Sequence, residues 1–422
     1  MVELTRRTLL RGAAATFGAA QIALPHGAHA QGKGPETKVA HLGYSQLTDA
    51  APLIVAKERG LFAKYGMRHV ELLRQESWDA TCENLALGSE VGGIDGAHLL
   101  TPLAYLVGMG KTMTGGDPTP LHILARLNTN GQAICVSKAL MASGARLNSA
   151  PLKAVLAGTA SNRVGMTSRG GTHDLWLRYW LAAGGINPDK DVETTVAPPL
   201  RMVADMGAGT MSAFCVGEQW PSQLVRQNLG YMACTTGEIW KDHPEKSLAM
   251  RADWVAKHPR AAVALTAAVI EAQQWADRVE NSEELAAMLS KRAWLNVSRA
   301  DIKPNLAGNI DYGEGREVER SPLRMKFWAD AASYPFPSHD LWFLTEEIRW
   351  GILPPDTDTR AAVATVNRHD VWREAAALAN VPAEEMPAGT SRGIETFFDG
   401  QVFDPNAQAE YLSKLRIKTM MA

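Results

Sequence analysis

Cysteine, excess charge of one sign and long apolar runs are all scarce in this chain, and each scarcity excludes something. Among its 422 residues are 4 cysteines, at positions 82, 135, 215 and 234. None stands at CxxC or any other metal-ligand spacing, so a zinc ribbon or redox motif is excluded. Cys215 and Cys234 stay open to pairing if the fold brings them together, but the geometry is demanding. Small buried apolar residues is the plainer reading of all four. The formal net charge is -2, so no global field draws the chain to nucleic acid or an acidic polymer. After the N-terminal region no run approaches the ~20 apolar residues that cross a bilayer. Catalytic signatures are missing too: there is no GxSxG, Walker loop, HExxH or dinucleotide fingerprint behind a strand. The 11 histidines are scattered without ligand spacing. The residues give no ground for an enzyme, a metal centre or a bound cofactor.

What is present is ordinary globular composition, 46% hydrophobic and 21% charged, over a length that suits two or three domain-sized units. Residues 1–30 read as a leader rather than as fold. Arg6 and Arg7 stand side by side before a mild apolar stretch rich in Ala and Gly. Ala28-His29-Ala30 then offers the small residues two apart that a signal peptidase needs. A paired arginine ahead of a weak apolar region is the pattern of twin-arginine export. No cysteine lies near the cleavage site to carry a lipid, so the mature chain is expected free in the periplasm.

Past the leader, strands and helices alternate. Residues 38–44 (KVAHLGY) pattern as a strand. Pro52 suits a first helical turn, because its missing N–H has no partner there anyway. Gly60 is placed to stop that helix, and 69–73 (HVELL) is a second strand. Strand, helix and strand in so short a span is a βαβ unit, which implies a parallel sheet. Further helices are expected at 78–87, 98–106 and 174–183, with strands at 92–94, 122–127, 132–137 and 164–167. A long helix begins near Pro259, with Leu265, Val269, Ala272 and Ala276 on one face. Asn281 with Glu284 resembles a capping box. The Gly- and charge-rich stretch 305–321 reads as a surface excursion.

Several turns place polar groups ahead of helices. In Gly170-Gly171-Thr172-His173-Asp174 two glycines allow close backbone approach, and the helix that follows aims free N–H groups and the positive end of its dipole at the same spot. Such a turn cradles an anion, although many helices begin this way for capping alone. Ser77-Trp78 opens another helix, where Trp78 either closes a flat face over a small ligand or, more commonly, fills core. Asn130-Gly131-Gln132 and Asp242-His243-Pro244-Glu245-Lys246 are ambiguous by themselves, since a lone lysine is usually a solvated surface charge.

Read in order, LTDAAPLIVAKERGLFAKYGM, GGIDGAHLLTPLAYL, ILARLNTNGQ, GGTHDLWLRYWLAAGG, FCVGEQWP, WKDHPEKSLAMRADWV, SHDLWFLTEEIRWG and SRGIETFFDG strongly resemble one family. It is the nitrate- and bicarbonate-binding proteins of ABC importers, and the resemblance covers nearly the whole mature chain. It implies an α/β, two-lobed periplasmic-binding-protein fold of type II, with a hinge and the ligand in the inter-lobe cleft. One lobe would be 38–131 plus 246–422, and the inserted lobe 132–245. Carried over position by position, the family's ligand contacts fall on Trp78, Gln132, His173 and Lys246. The implied function is capture of a small anion for a membrane permease and its ATPase, by a monomer without cofactor or metal. Two departures stand out: the lipid-anchoring cysteine of several members is missing, and 138–163 matches poorly.

The chemistry of the two anions differs. Nitrate has three acceptor oxygens and no proton to give, so its site needs donors only; bicarbonate carries a hydroxyl and wants an acceptor as well. The bicarbonate branch has an acidic residue where the nitrate branch has lysine, and recruits calcium. Lys246 at that position points to nitrate or the smaller nitrite. Glu245 is the caution, because a slip of one residue would put a carboxylate in the cleft. The alternatives are a calcium-dependent bicarbonate binder and a nitrate-sensing regulatory binder, the latter opposed by the leader.

Overall fold

Strand β1 (Val39–Tyr44), β2 (His69–Arg74), β3 (Gly96–Leu100) and β4 (Leu121–Arg126) come first along the chain, each separated from the next by helix. A computed structural model describes residues 34–112, 114–158 and 161–419, and the expected leader lies outside them. The chain then builds β5 (Gln132–Ser137), β6 (Arg163–Met166), β7 (Glu193–Val196), β8 (Ala213–Gly217) and β9 (Gly230–Thr235), and returns with β10 (Lys246–Arg251). Two five-stranded sheets result, ordered β2-β1-β3-β10-β4 and β7-β6-β8-β5-β9. Each contains one antiparallel strand: β10 runs against β3 and β4, and β5 against β8 and β9. Both are the first strand laid down after the chain crosses from the other sheet. The remaining pairings among β1, β2, β3, β6, β7 and β8 are parallel, as helical crossovers require.

The two crossings lie side by side. Leu127 N–H donates to the Lys246 carbonyl at 2.7 Å, and Asn130 N–H to the His243 carbonyl at 3.1 Å. A third segment joins them through Thr129 and Lys326, which exchange backbone hydrogen bonds of 2.9 and 3.1 Å. At the turn, Gly131 has φ 92°. A β-carbon there would come within 2.7 Å of the Met325 side chain, so glycine serves both conformation and space.

One hydrophobic cluster runs through both sheets, holding Leu99 and Ala249 of the first together with Ile134 and Cys215 of the second. Its aromatic centre is Trp176 stacked on Trp342 at 5.0 Å, with Trp240 edge-on to Trp342 at 5.1 Å. The helix Pro337–Arg349 therefore braces the helix Thr172–Ala183 of the second sheet. All four cysteines are buried and free. Cys215 and Cys234 both register on Ile134, one from each neighbouring strand. They stand two strand spacings apart, roughly 9–10 Å, beyond disulfide reach.

Four local expectations are corrected. The short strand expected at 92–94 is a turn, and residues expected in a helix from His98 form β3, with the helix beginning at Thr101. The run Gly96–Leu100 is buried throughout, and so short a run buried on both faces carries no period to distinguish strand from helix. Asn281 is no capping box, because its amide donates to the Trp275 carbonyl at 2.8 Å; a capping box forms instead at Thr235 with Glu238. The excursion 305–321 holds a hairpin, β11 (Ile310–Gly313) with β12 (Arg316–Val318). Ile310 and Tyr312 pack among Ala133, Phe214 and Met232 of the second sheet.

Candidate ligand-binding site

The four residues expected at the cleft arrive from four different elements and meet in one buried cluster. Trp78 opens the helix Trp78–Leu87, whose N-cap Ser77 accepts from the Ala80 N–H. Gln132 is the first residue of β5, His173 lies in the first turn of the helix Thr172–Ala183, and Lys246 begins β10. Strand ends and helix starts gather where open α/β sheets place their ligands. Trp78 is 3% exposed and the other three 0%.

The cluster closes on itself as a ring. The Trp78 indole donates to Thr167 Oγ1 at 3.0 Å, and that hydroxyl lies 2.5 Å from His173 Nδ1. His173 Nε2 is 3.2 Å from Gln132 Oε1, and the Gln132 amide donates to Asp49 Oδ2 at 3.3 Å. Lys246 Nζ stands 2.9 Å from that same Asp49 oxygen and 2.9 Å from Glu245 Oε1. Its ammonium also lies 5.7 Å from the Trp78 ring centroid, within cation–π range. Trp78 faces the Lys246 cation while packing in the main hydrophobic cluster. A cleft of ≈ 310 Å³, lined by Gln46, Glu76, Pro198 and Trp220 among others, reaches the ring at Trp78 and Thr167.

Charge in the ring is set by burial against pairing. Burial opposes ionisation of Asp49, but Lys246 and His98 overcome it and hold the carboxyl well below its usual range. His98 Nε2 lies 2.7 Å from Asp49 Oδ1. Burial would likewise depress the Lys246 ammonium, and Asp49 and Glu245 together raise it instead. Glu245 is raised by burial, against the pull of Lys246, Thr172 and Trp176. Burial, then the charge of Lys246, keeps His173 well below the ordinary imidazole range, so its ring is neutral. One ammonium therefore serves two carboxylates inside a water-excluded site.

Sequence reasoning missed Asp49, His98, Thr167 and Trp176, and named Thr172 only as part of the glycine turn. Thr172 Oγ1 and Trp176 Nε1 both donate to the Glu245 carboxylate, the indole at 2.9 Å. Besides the turn residue Thr172, Glu245 had a signal, as the carboxylate one position before Lys246, and both neighbours belong to the cluster. The glycine turn contributes differently from expectation. The Gly170 N–H is taken by Asp174 at 2.9 Å and the Gly171 N–H by the Ser168 carbonyl at 3.3 Å. Side chains of the following turn, rather than these amides, reach the cluster.

Two α/β sheets of the same strand order, joined by adjacent crossings with a buried polar ring between them, make a periplasmic-binding-protein fold. The chain belongs to the NMT1-like family, which matches residues 33–290, and within it to the nitrate- and bicarbonate-binding proteins. It is 55% identical to the nitrate/nitrite binding protein NrtA of Synechocystis, over 92% of this chain and 87% of that one. The crystal structure of the periplasmic nitrate-binding protein NrtA from Synechocystis superposes with a TM-score of 0.89 at 54% identity, covering 91% of this chain and 100% of the other. The bicarbonate-binding protein CmpA of Synechococcus elongatus is more distant, 40% identical over 91% of this chain and 88% of its own.

Proposed function

We propose that this protein captures nitrate, or the smaller nitrite, in the periplasm and hands it to the permease and ATPase of an ABC importer. The observation that carries the reading is Lys246, a fully buried ammonium ringed by further donors: the Trp78 indole, the Gln132 amide and the His173 imidazole. An anion with acceptor oxygens only is satisfied by such a set. On entering, it takes over hydrogen bonds that these groups otherwise spend on one another, so Trp78, Gln132, His173 and Lys246 are its ligands in this reading. The relatives named for nitrate at higher identity than those named for bicarbonate support the same choice.

The lobes in this reading are 38–131 with 246–422, and 132–245, swinging about the paired crossings near Gly131 and Lys246. Export follows the twin-arginine route through Arg6 and Arg7, and the protein acts as a monomer. Among the described residues no helix is long and apolar enough to cross a membrane. A second reading, bicarbonate, draws on Glu245, whose carboxylate is an acceptor within the ring. Calorimetric titration with nitrate, nitrite and bicarbonate, the last with and without calcium, decides between them. Heat from nitrate or nitrite alone supports the proposal, and heat only from bicarbonate with calcium overturns it.

A further inference from the structure

Charge around Lys246 does not balance. One ammonium stands 2.9 Å from Asp49 Oδ2 and 2.9 Å from Glu245 Oε1, and all three side chains are buried. No imidazole makes up the difference. Burial lowers His98 and His173 and takes His243 down to about 3, so all three rings are neutral. They approach from separate elements: His98 Nε2 lies 2.7 Å from Asp49, and His173 Nε2 and His243 Nδ1 lie 3.7 and 3.8 Å from Glu245. Cys215 on β8 stays a thiol, because burial raises it well above its ordinary value. Glu218, which feels the charge of Asp49, is pushed up to about 8 by burial. A monoanion seated on Lys246 therefore adds a second uncompensated negative charge to a water-excluded site, which is costly unless a positive charge comes with it.

We propose that the site binds its anion together with one proton, and that Glu245 is the group that takes the proton up. This coupling rests on the nitrate reading above. The partners of the two carboxylates decide which of them accepts the proton. Asp49 faces donors only. They are the Lys246 ammonium, the Gln132 amide, whose carbonyl is turned to His173, and His98 Nε2, which carries the ring proton because Nδ1 receives the Ser45 N–H at 3.4 Å. An acid O–H on Asp49 would find no acceptor. Glu245 instead meets the Thr172 hydroxyl, which donates to a carboxylate and can turn to accept from the acid. The Trp176 indole goes on donating to Oε2 at 2.9 Å. Burial already raises Glu245 against the pull of Lys246. An anion on Nζ comes within about 5 Å of it, and at an effective dielectric near 20 that lifts the carboxyl by about 2–3 pH units more. With Glu245 neutral, the ammonium is left to Asp49 and the anion.

Calorimetry with nitrate in two buffers of different ionisation enthalpy gives the protons taken up per anion. It is repeated from about pH 5.5 to about pH 8.5 on wild type, Glu245→Gln and Glu218→Gln. In wild type the uptake should approach one proton within a window about 2–3 pH units wide. Across that window free Glu245 is ionised and anion-bound Glu245 is not, so nitrate affinity should fall roughly tenfold per pH unit as pH rises. Glu245→Gln should take up no proton and bind nitrate with an affinity that pH does not change, whereas Glu218→Gln should keep the wild-type uptake. The infrared difference between nitrate-bound and free wild type should show a new carboxylic-acid band that moves on ¹³C labelling of glutamate, which tests the assignment even if Glu245→Gln does not fold. Nitrate heat without proton uptake at any of these pH values overturns the proposal and leaves the nitrate reading standing. Uptake that persists in Glu245→Gln or vanishes in Glu218→Gln, or a difference spectrum without the glutamic-acid band, places the proton elsewhere and overturns it as well. No heat from either nitrate or nitrite overturns the nitrate reading and the coupling with it.

Discussion

Replacing Lys246 with methionine keeps the length of the side chain and removes the one ammonium that Asp49 and Glu245 share. Both carboxylates lie 2.9 Å from Nζ, and the three side chains are 0–1% exposed. At about 3 Å and an effective dielectric near 20, each pair is worth roughly 5–6 kcal/mol of attraction before desolvation is subtracted. Breaking a buried pair by deleting one partner costs about 3–5 kcal/mol net, because the remaining charge is left uncompensated. Read from sequence alone, a cleft lysine would be free to change without harm to folding; its burial between two carboxylates says otherwise. Glu245 offers partial relief, since burial already raises it toward the neutral acid. The stability loss should therefore shrink as pH falls and Glu245 takes up a proton. Nitrate binding should weaken roughly 30-fold to a few thousandfold, the factor for about 2–5 kcal/mol. Urea unfolding at several pH values measures the first effect, and calorimetry on the folded fraction the second. Lys257→Met, in an exposed pair with Glu90, is the control and should change neither. A Lys246→Met protein within about 0.5 kcal/mol of wild-type stability, binding nitrate within about threefold, would refute the reasoning.

Glu218 is buried with Oε2 unpartnered, and burial, with the charge of Asp49 adding, pushes its carboxyl up to about 8. The folded state therefore holds a proton that the unfolded state releases near the ordinary value of 4.5. Stability should fall as pH rises between those values. Glu218→Gln should lose that dependence and gain up to roughly 2–4 kcal/mol over wild type at the upper end; parallel thermal-melt curves across the range would refute it. Asp340 binds Arg126 and accepts from the Tyr105 hydroxyl at 2.6 Å and the Asn367 amide at 2.7 Å. Asp340→Ala should cost about 3–5 kcal/mol in urea unfolding, and a loss below about 1 kcal/mol would show that the network is dispensable. Arg6→Lys with Arg7→Lys should leave the protein in the cytoplasm on fractionation, and unchanged periplasmic yield would return export to the ordinary secretory route.

Much of this molecule is written locally. Pro52 inside the first turn of the helix Ala51–Glu58, Ser77 capping the helix that begins at Trp78, and the apolar periodicity behind Pro259 each needed only neighbouring residues to be read. Local pattern also marked the segments that carry Trp78, Gln132, His173 and Lys246, though not that they meet; only the family resemblance joined them. Where the period vanishes, as in the buried run Gly96–Leu100, sequence could not choose between helix and strand, and pairing with β1 and β10 chose. The hairpin in 305–321 looked polar because its apolar residues are few, yet Ile310 and Tyr312 find their partners on a distant sheet. Tertiary structure alone decided the chemistry around Lys246. A carboxylate such as Asp49, a hydroxyl such as Thr167 and an indole such as Trp176 carry no local mark of a partner. Their roles depend on which opposite group lies within 3 Å or so once water is excluded. Sequence sets which segments form, because backbone geometry and capping are short-range; which charges and donors face one another is long-range, and only the folded chain settles it.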